Sequence, residues 1–398
     1  MNLEIYEHIT REKIGFIRTF TFVQYTEMFN GIGEFRLIVP YEEASLKLLQ
    51  PYNYILFEKD VMGIIKFRYK ETRIEKTEVD IKGLLINEIM GYRVFDKTYN
   101  FLTMDTVDVT RKMVRILFQK NENEKRNIPY IEVDQTPIET VKIVTQRTGN
   151  TCASTIQDLL ETVECGWKLI PKLIPFDELQ SNYPTNVASF IYTVLKPKDR
   201  SVGNDEGNDP VVFGVKMNNV ENLIYTDDSR EYKSMAYVAG EGYGEERVNV
   251  EVGNLEKEGI ERIEAYIDAR DLQIEFDNPE EFDDDGNLIW PEDRPPTEEE
   301  MQAYLDTLKQ RGREGMVDMI RFEYFEGMIL DGGVKFELGK DFNNGDYVTV
   351  IDEHLGLVVR LQIVAITRSL TGFGEKLDLH FGKDRITTRE LLEKKGVI

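Results

Sequence analysis

The sequence predicts an α+β chain in which β-structure predominates: two small related β-barrels, an α+β unit and an acidic insertion that carries a helix. Three observations support this. Apolar and polar residues alternate like strands over both ends of the chain. Helical spacing is found in the middle and in one later insertion. A tetrapeptide of glycine, an apolar residue, glycine and glutamate recurs at Gly31–Glu34, Gly242–Glu245 and Gly372–Glu375, each time ahead of a strand-like run. At 398 residues, 41% of them hydrophobic, the chain exceeds one ordinary core, so roughly two to four subdomains are expected.

Residues 1–97 read as the first barrel. Ile14 to Tyr25 is rich in Ile, Phe, Val and Thr, which suit a pleated, half-buried surface. Phe35 to Val39, Tyr54 to Glu58, Ile64 to Ile74 and Thr77 to Ile81 follow as strands, with a short helix at Glu42 to Leu49 between them. Residues 98–190 change to α+β. Asp105 to Gln119 places Val109, Met113, Ile116 and Leu117 on one helical face, and Thr151 to Glu164 does so with Ile156, Leu159, Leu160 and Val163. Strands at Tyr130 to Val133, Val141 to Val144 and Trp167 to Leu173 are expected to pack on these helices. Ser201 to Asp209 is a polar loop.

Strand patterns resume from Val211 to Ala265 and return from Val317 to Phe381, so residues 191–270 and 317–384 are expected to close one second barrel from two distant segments. The intervening insertion, 271–316, opens on an acidic loop and ends in a helix at Thr297 to Arg311. Thr297 followed by Glu300 is a capping box, with carboxylates favoured at the helix N-terminus. Ile386 to Lys395, within 385–398, reads as a terminal helix.

Gly31, Gly33, Gly240, Gly242, Gly244, Gly372 and Gly374 are read as hairpin glycines that supply positive φ. The cluster at Gly240–Gly244 is no phosphate cradle, because it runs into the strand-like Arg247–Val252 and not into a helix N-terminus. Beside these strands, Arg247, Arg262, Asp268 and Arg270 are candidates for intersubunit ion pairs, arginine being enriched at interfaces. The alternative is that they are strand-edge charges of little effect on stability. Tyr237, Tyr243, Phe322, Tyr324 and Phe325 read as core or hairpin packing.

The formal charge is −24, from 73 acidic and 49 basic residues, which speaks against electrostatic capture of nucleic acid or anionic lipid. Cys152 and Cys165 are too few for a disulfide framework and are expected as reduced thiols. Cys152 stands at a predicted helix start, where a thiol pKa can fall. A nucleophile would also need a positioned histidine, and His8, His354 and His380 form no recognisable arrangement with it. The run Asp283–Asn287 resembles a calcium loop but has Arg294 where the bidentate glutamate belongs. Nothing in the sequence selects a catalytic carboxylate pair. No metal, cofactor or catalytic residue is therefore assigned. The start of the chain lacks a basic, apolar leader and no apolar run reaches about 18 residues, so neither secretion signal nor membrane span is expected.

The segment Ala239–Val252 with Gly259, Arg262 and Asp268–Arg270 resembles the baseplate-hub and tail-tip hub proteins of long-tailed bacteriophages, the siphovirus Gp37-like group. Phe29–Leu37, Gly63–Ile65, Ile81–Leu85, Arg126–Pro129, Gly166–Trp167, Asn343–Val350 and Leu377–Gly382 fit the same pattern in order. The resemblance implies a virion structural protein, not an enzyme, made in the host cytoplasm and located at the tail tip or baseplate. It implies a homotrimeric ring of tube-type barrels that continues the tail tube. Its partners would be the distal tail protein, the tape measure protein and a tail fibre or tip/lysin protein, with genomic DNA passing through unbound. An acidic surface suits such a conduit, since carboxylates repel DNA. A tail-associated cell-wall hydrolase and a carbohydrate-binding module are the alternatives.

Overall fold

Glu34–Pro40 and Thr77–Leu85 bury every second side chain, so each strand lays one apolar row against a core and leaves the other row half exposed. In the computed structural model, which describes residues 2–72, 77–174, 187–242, 247–276, 295–317, 319–329, 336–372 and 374–382, both belong to a sheet of thirteen strands. Its order along the main path is Val220–Asp228, Phe322–Ile329, Gly374–Gly382, Leu357–Thr371, Phe22–Met28, Glu34–Pro40, Thr77–Leu85, Val61–Thr72, Tyr54–Glu58, Leu3–Tyr6 and Lys13–Ile17, antiparallel throughout. Tyr347–Asp352 joins Leu357–Thr371 from the side, and Val212–Gly214 pairs with it in parallel.

The fold is mostly β, as the sequence indicates, but the sheet is not closed into two barrels. Strand Phe22–Met28 pairs residue for residue with the end of Leu357–Thr371, from Met28 opposite Ala365 to Phe22 opposite Thr371. Closure of either half on itself would need the backbone groups that this pairing uses. Each half nevertheless has its own core. Leu3, Val23, Leu37, Val39, Ile55, Val79 and Ile81 fill the first; Phe213, Phe325, Phe342, Val348, Leu379 and Phe381 fill the second.

The middle of the chain forms an α+β body around Trp167 and Tyr192. Helix Thr106–Val114 starts where the Asp105 carboxylate accepts the Val107 N–H at 3.1 Å, and it runs on through a π-helical turn at Arg115–Gln119. Helix Cys152–Glu161 starts where the Thr151 hydroxyl accepts the Ser154 N–H at 3.1 Å. Gly166–Leu173 pairs with Val187–Leu195, which pairs in parallel with Ile131–Val133; Tyr99–Asp105 pairs with Lys142–Arg147. Lys168 ties this body to the large sheet, its Nζ lying 2.6 Å from Glu27 and 2.9 Å from Asp60.

Three strands expected within the second barrel stand apart from it. Asn249–Gly253, Met235–Ala239 and Glu264–Asp268 make a separate sheet in that order, covered by helix Glu298–Val317. The capping box is formed: the Glu300 N–H donates to Thr297 Oγ1 at 3.2 Å and the Thr297 N–H to Glu300 Oε2 at 2.7 Å. The helix runs past Arg311, the expected end, because Gly312 and Gly315 are contact points and not stops. A Cβ there would stand 2.6 Å from Val238 and 2.7 Å from Ile267. The expected helix at Ile386–Lys395, the run Asp283–Asn287, Tyr243 and Gly244 lie outside the described residues.

Candidate functional site: a polar sheet face and an arginine–tyrosine surface

Paired residues of an antiparallel sheet point to the same side, so the register identifies which side chains share a face. One row runs Phe67, Lys82, Arg36, Gln24, Ser369, Lys376 across both halves of the large sheet. The next runs Leu84, Glu34, Thr26, Thr367, Asp378, Met328, Asn222. The two cores of the large sheet lie on the opposite side, so a polar face spans eight strands, from Val61–Thr72 to Val220–Asp228, interrupted at Ile64, which pairs with Leu84 and is buried in the α+β core. Among the described residues its carboxylates are Glu34, Glu78, Asp80, Asp228, Glu326 and Asp378, and its basic side chains are Arg36, Lys82, Lys376 and His380. The face is acidic on balance. Arg36 and Asp80 bridge neighbouring strands at 2.8 Å. Where the halves meet, the Thr26 and Thr367 hydroxyls bond at 2.9 Å, and Thr367 lies 3.3 Å from His380 Nε2.

The smaller sheet has a different surface. Val238, Val250 and Val252 turn toward helix Glu298–Val317, leaving Tyr237, Glu251, Glu264, Tyr266 and Asp268 on the outer face. The structure gathers three of the four predicted charged residues there. Arg247 donates to Asp268 Oδ1 at 2.6 Å and to the Ala239 and Gly240 carbonyls at 2.9 Å each; Arg270 donates to Asp268 Oδ2 at 2.6 Å. Hydrogen bonds from Arg270 and then from Arg247 hold the Asp268 carboxylate down to about 2. Arg262 lies on the neighbouring row. It donates to Glu264 at 2.6 Å and to the Tyr237 hydroxyl at 3.1 Å, bonds that raise its pKa above the ordinary arginine value. Arg262 sits over the Tyr237 ring and Arg247 over the Tyr266 ring, at 6.0 and 5.7 Å. Tyr237, expected as packing, is thus part of an amphipathic outer surface, whereas Phe325 is fully buried in the second core.

The glycines serve several purposes. Gly31 and Gly33, Gly240 and Gly242, and Gly372 stand between consecutive antiparallel strands, and Gly374 opens the second strand of its pair. Of these, Gly242 and Gly374 have the expected positive φ, at 108° and 127°. Gly33 is required instead by close approach, since a Cβ would meet the Thr26 carbonyl oxygen at 2.0 Å. A Cβ at Gly240 would meet the Tyr304 hydroxyl at 2.3 Å.

Cys152 and Cys165 are buried in the α+β core, and burial pushes both thiols up, Cys165 to about 11. The helix start at Cys152 therefore does not activate it. Among the described residues, no group of three or more His, Cys, Asp or Glu could hold a metal ion, and no helix is long and apolar enough to cross a membrane.

Residues 2–383 match the family model of the Siphovirus ReqiPepy6 Gp37-like protein. The chain belongs to this Gp37-like family of phage tail proteins. The Gp37-like fold is similar to that of a tail protein from Neisseria meningitidis MC58, at 11% identity and a TM-score of 0.50 over 98% of each chain. It is likewise similar to the 43 kDa tail protein of prophage MuSo2 from Shewanella oneidensis, at 12% identity and a TM-score of 0.51, covering 96% of this chain and 98% of that one. No protein of curated function matches the chain. Sequence reasoning does not locate the polar face, because its two halves join through residues some three hundred positions apart.

Proposed function

We propose that this protein is the hub at the distal end of a phage tail or tail-like particle, where three copies form a ring continuing the tail tube. The acidic face that spans both halves of the sheet is the observation that supports it. Turned toward the axis of a ring, such a face lines a passage that repels DNA instead of holding it. In this reading the large sheet builds the ring, while the α+β body and the smaller sheet with its helix stand outside and meet the distal tail protein, the tape measure protein and a fibre or tip protein. The Arg247, Arg262, Asp268 and Arg270 surface with its two tyrosines is a contact surface for such a neighbour, arginine and tyrosine being enriched at interfaces. The protein acts by assembly and channel formation.

Light scattering on the size-exclusion peak tests the ring. A trimer has a mass of about 139 kDa, three times 46.3 kDa, and a strict monomer at high concentration counts against it. In particles carrying Glu34→Lys and Asp378→Lys, genome release should slow; unchanged release removes the lumen assignment.

A further inference from the structure

Among the described residues, both ends of the polar-faced sheet present unpaired backbone. Val220–Asp228 pairs with Phe322–Ile329 on one side, and no described residue pairs with its other side. Val61–Thr72 pairs with Tyr54–Glu58 only as far as Ile64, and Tyr52 and Asn53 extend the contact by backbone bonds to Ile65. Beyond that point, residues 66–72 pair with Thr77–Leu85 alone among the described residues. Such edges accept another strand.

We infer that these two edges join in the assembled protein, Val220–Asp228 of one copy adding to residues 66–72 of a second copy of this chain. The inference rests on the ring reading above and says which surfaces close it. Charge supports the pairing. The 66–72 edge carries Lys66, Arg68 and Lys70 with one acid, Glu71, and the other edge carries Glu221, Asp227 and Asp228, of which Asp227 pairs with Arg321 and Asp228 with Arg230, so the first is net positive and the second net negative. Pairing either edge with its own copy brings together edges of the same net sign, whereas pairing the two unlike edges brings opposite net signs together. An interface between unlike surfaces repeats head to tail and generates a ring when the rotation closes. Exposed apolar side chains stand at both edges, Phe67 and Tyr69 at one and Ile224 at the other. All three lie on the polar face, so the pairing carries that face across the subunit boundary. The far end of the sheet path, Lys13–Ile17, is a poorer candidate. It has five residues, and the adjoining Arg11 is bonded to Val187 of the α+β body through both its carbonyl and its guanidinium.

The test uses the full chain. Equal amounts of ¹⁴N- and ¹⁵N-labelled protein are mixed, crosslinked with a zero-length carbodiimide and read by mass spectrometry. Mixed-isotope crosslinks from Lys66 or Lys70 to Glu221, Asp227 or Asp228 are expected. Lys70→Glu and Asp227→Lys should each raise the midpoint concentration for assembly by about tenfold or more, and the double variant should restore it; circular dichroism checks that each variant folds. A species near 139 kDa whose mixed-isotope crosslinks avoid both edges, with assembly unaffected by either substitution, overturns the edge assignment and leaves the ring reading standing. A chain that stays monomeric alone and with its tail neighbours overturns both.

Discussion

The Arg147 and Glu314 side chains meet at 2.5 Å and are only 5% and 7% exposed, so each is buried against the other. The pair joins strand Lys142–Arg147 of the α+β body to helix Glu298–Val317. Glu314→Ala removes the directly bonded carboxylate and leaves the guanidinium in a site that water barely reaches. Breaking a buried pair from one side costs about 3–5 kcal/mol, because the stranded charge keeps its desolvation penalty. Spent on undocking the helix, that is roughly two to three and a half powers of ten in the equilibrium. Gln310, which donates to Glu314 at 3.0 Å, and the Gln146 carbonyl, which accepts from Arg147 at 3.2 Å, supply no charge; the nearby Asp158 carboxyl, pushed up to about 6 by burial and by Glu314, takes over part of the counterion role, so the lower end of that range is expected. Hydrogen exchange read peptide by peptide is the assay, since it reports local opening below global unfolding. Protection across Glu298–Val317 should fall by about a hundredfold or more. Arg147→Met with Glu314→Leu should recover most of it, neither charge then being buried. A single variant whose protection changes by less than about tenfold would refute the reasoning.

Gly33→Ala forces a methyl group to within 2.0 Å of the Thr26 carbonyl oxygen and 2.7 Å of Leu85, so it should cost about 1–3 kcal/mol or more, while Gly372→Ala, with nothing within 4 Å, should stay within about 0.5 kcal/mol; paired thermal melts separate them. Cys152 and Cys165 should resist dithionitrobenzoate at pH 8 in the native chain and both titrate after denaturation; a native thiol that reacts in seconds would contradict the raised pKa values. Asp268 has its folded pKa lowered, so its ion pairs with Arg270 and Arg247 contribute above the unfolded value of about 4 and are lost as pH falls through about 2. Carboxyl NMR should find Asp268 still ionised at pH 3, and titration near 4 would show the pairs to be loose in solution.

Local features were readable where one segment determines them. Thr297 and Glu300 specify a helix start by their own hydrogen bonds, and Val79, Ile81 and Leu37 alternate as a half-buried strand must. Helix ends were less readable: Gly312 looks like a stop signal until Val238 is found against it. Tyr99–Asp105 and Val187–Leu195 give no clear period because the first is a short edge strand and the second is buried over most of its length. The two barrels were misjudged for a different reason. Alternation shows that a strand has a core side and a polar side but does not identify its neighbour, and pairing across Phe22–Met28 is a property of the whole chain. The candidate surface divides in the same way. Arg247, Asp268 and Arg270 lie close in sequence and were found together, whereas the row from Phe67 to Lys376 exists only once the register is known.

The seam between Phe22–Met28 and Leu357–Thr371 also governs how the protein can be made. Thr26 and Thr367, bonded across it, are 341 residues apart. At roughly 5–20 residues per second, translation leaves the N-terminal strands without their partner for about 20 s to a minute. During that time Phe22–Met28 is a bare edge, able to pair with any other nascent chain. Expression at lower temperature or with a holdase should therefore raise the yield of soluble chain more than any substitution in the finished core, and a chain cut before Leu357 should accumulate as aggregate.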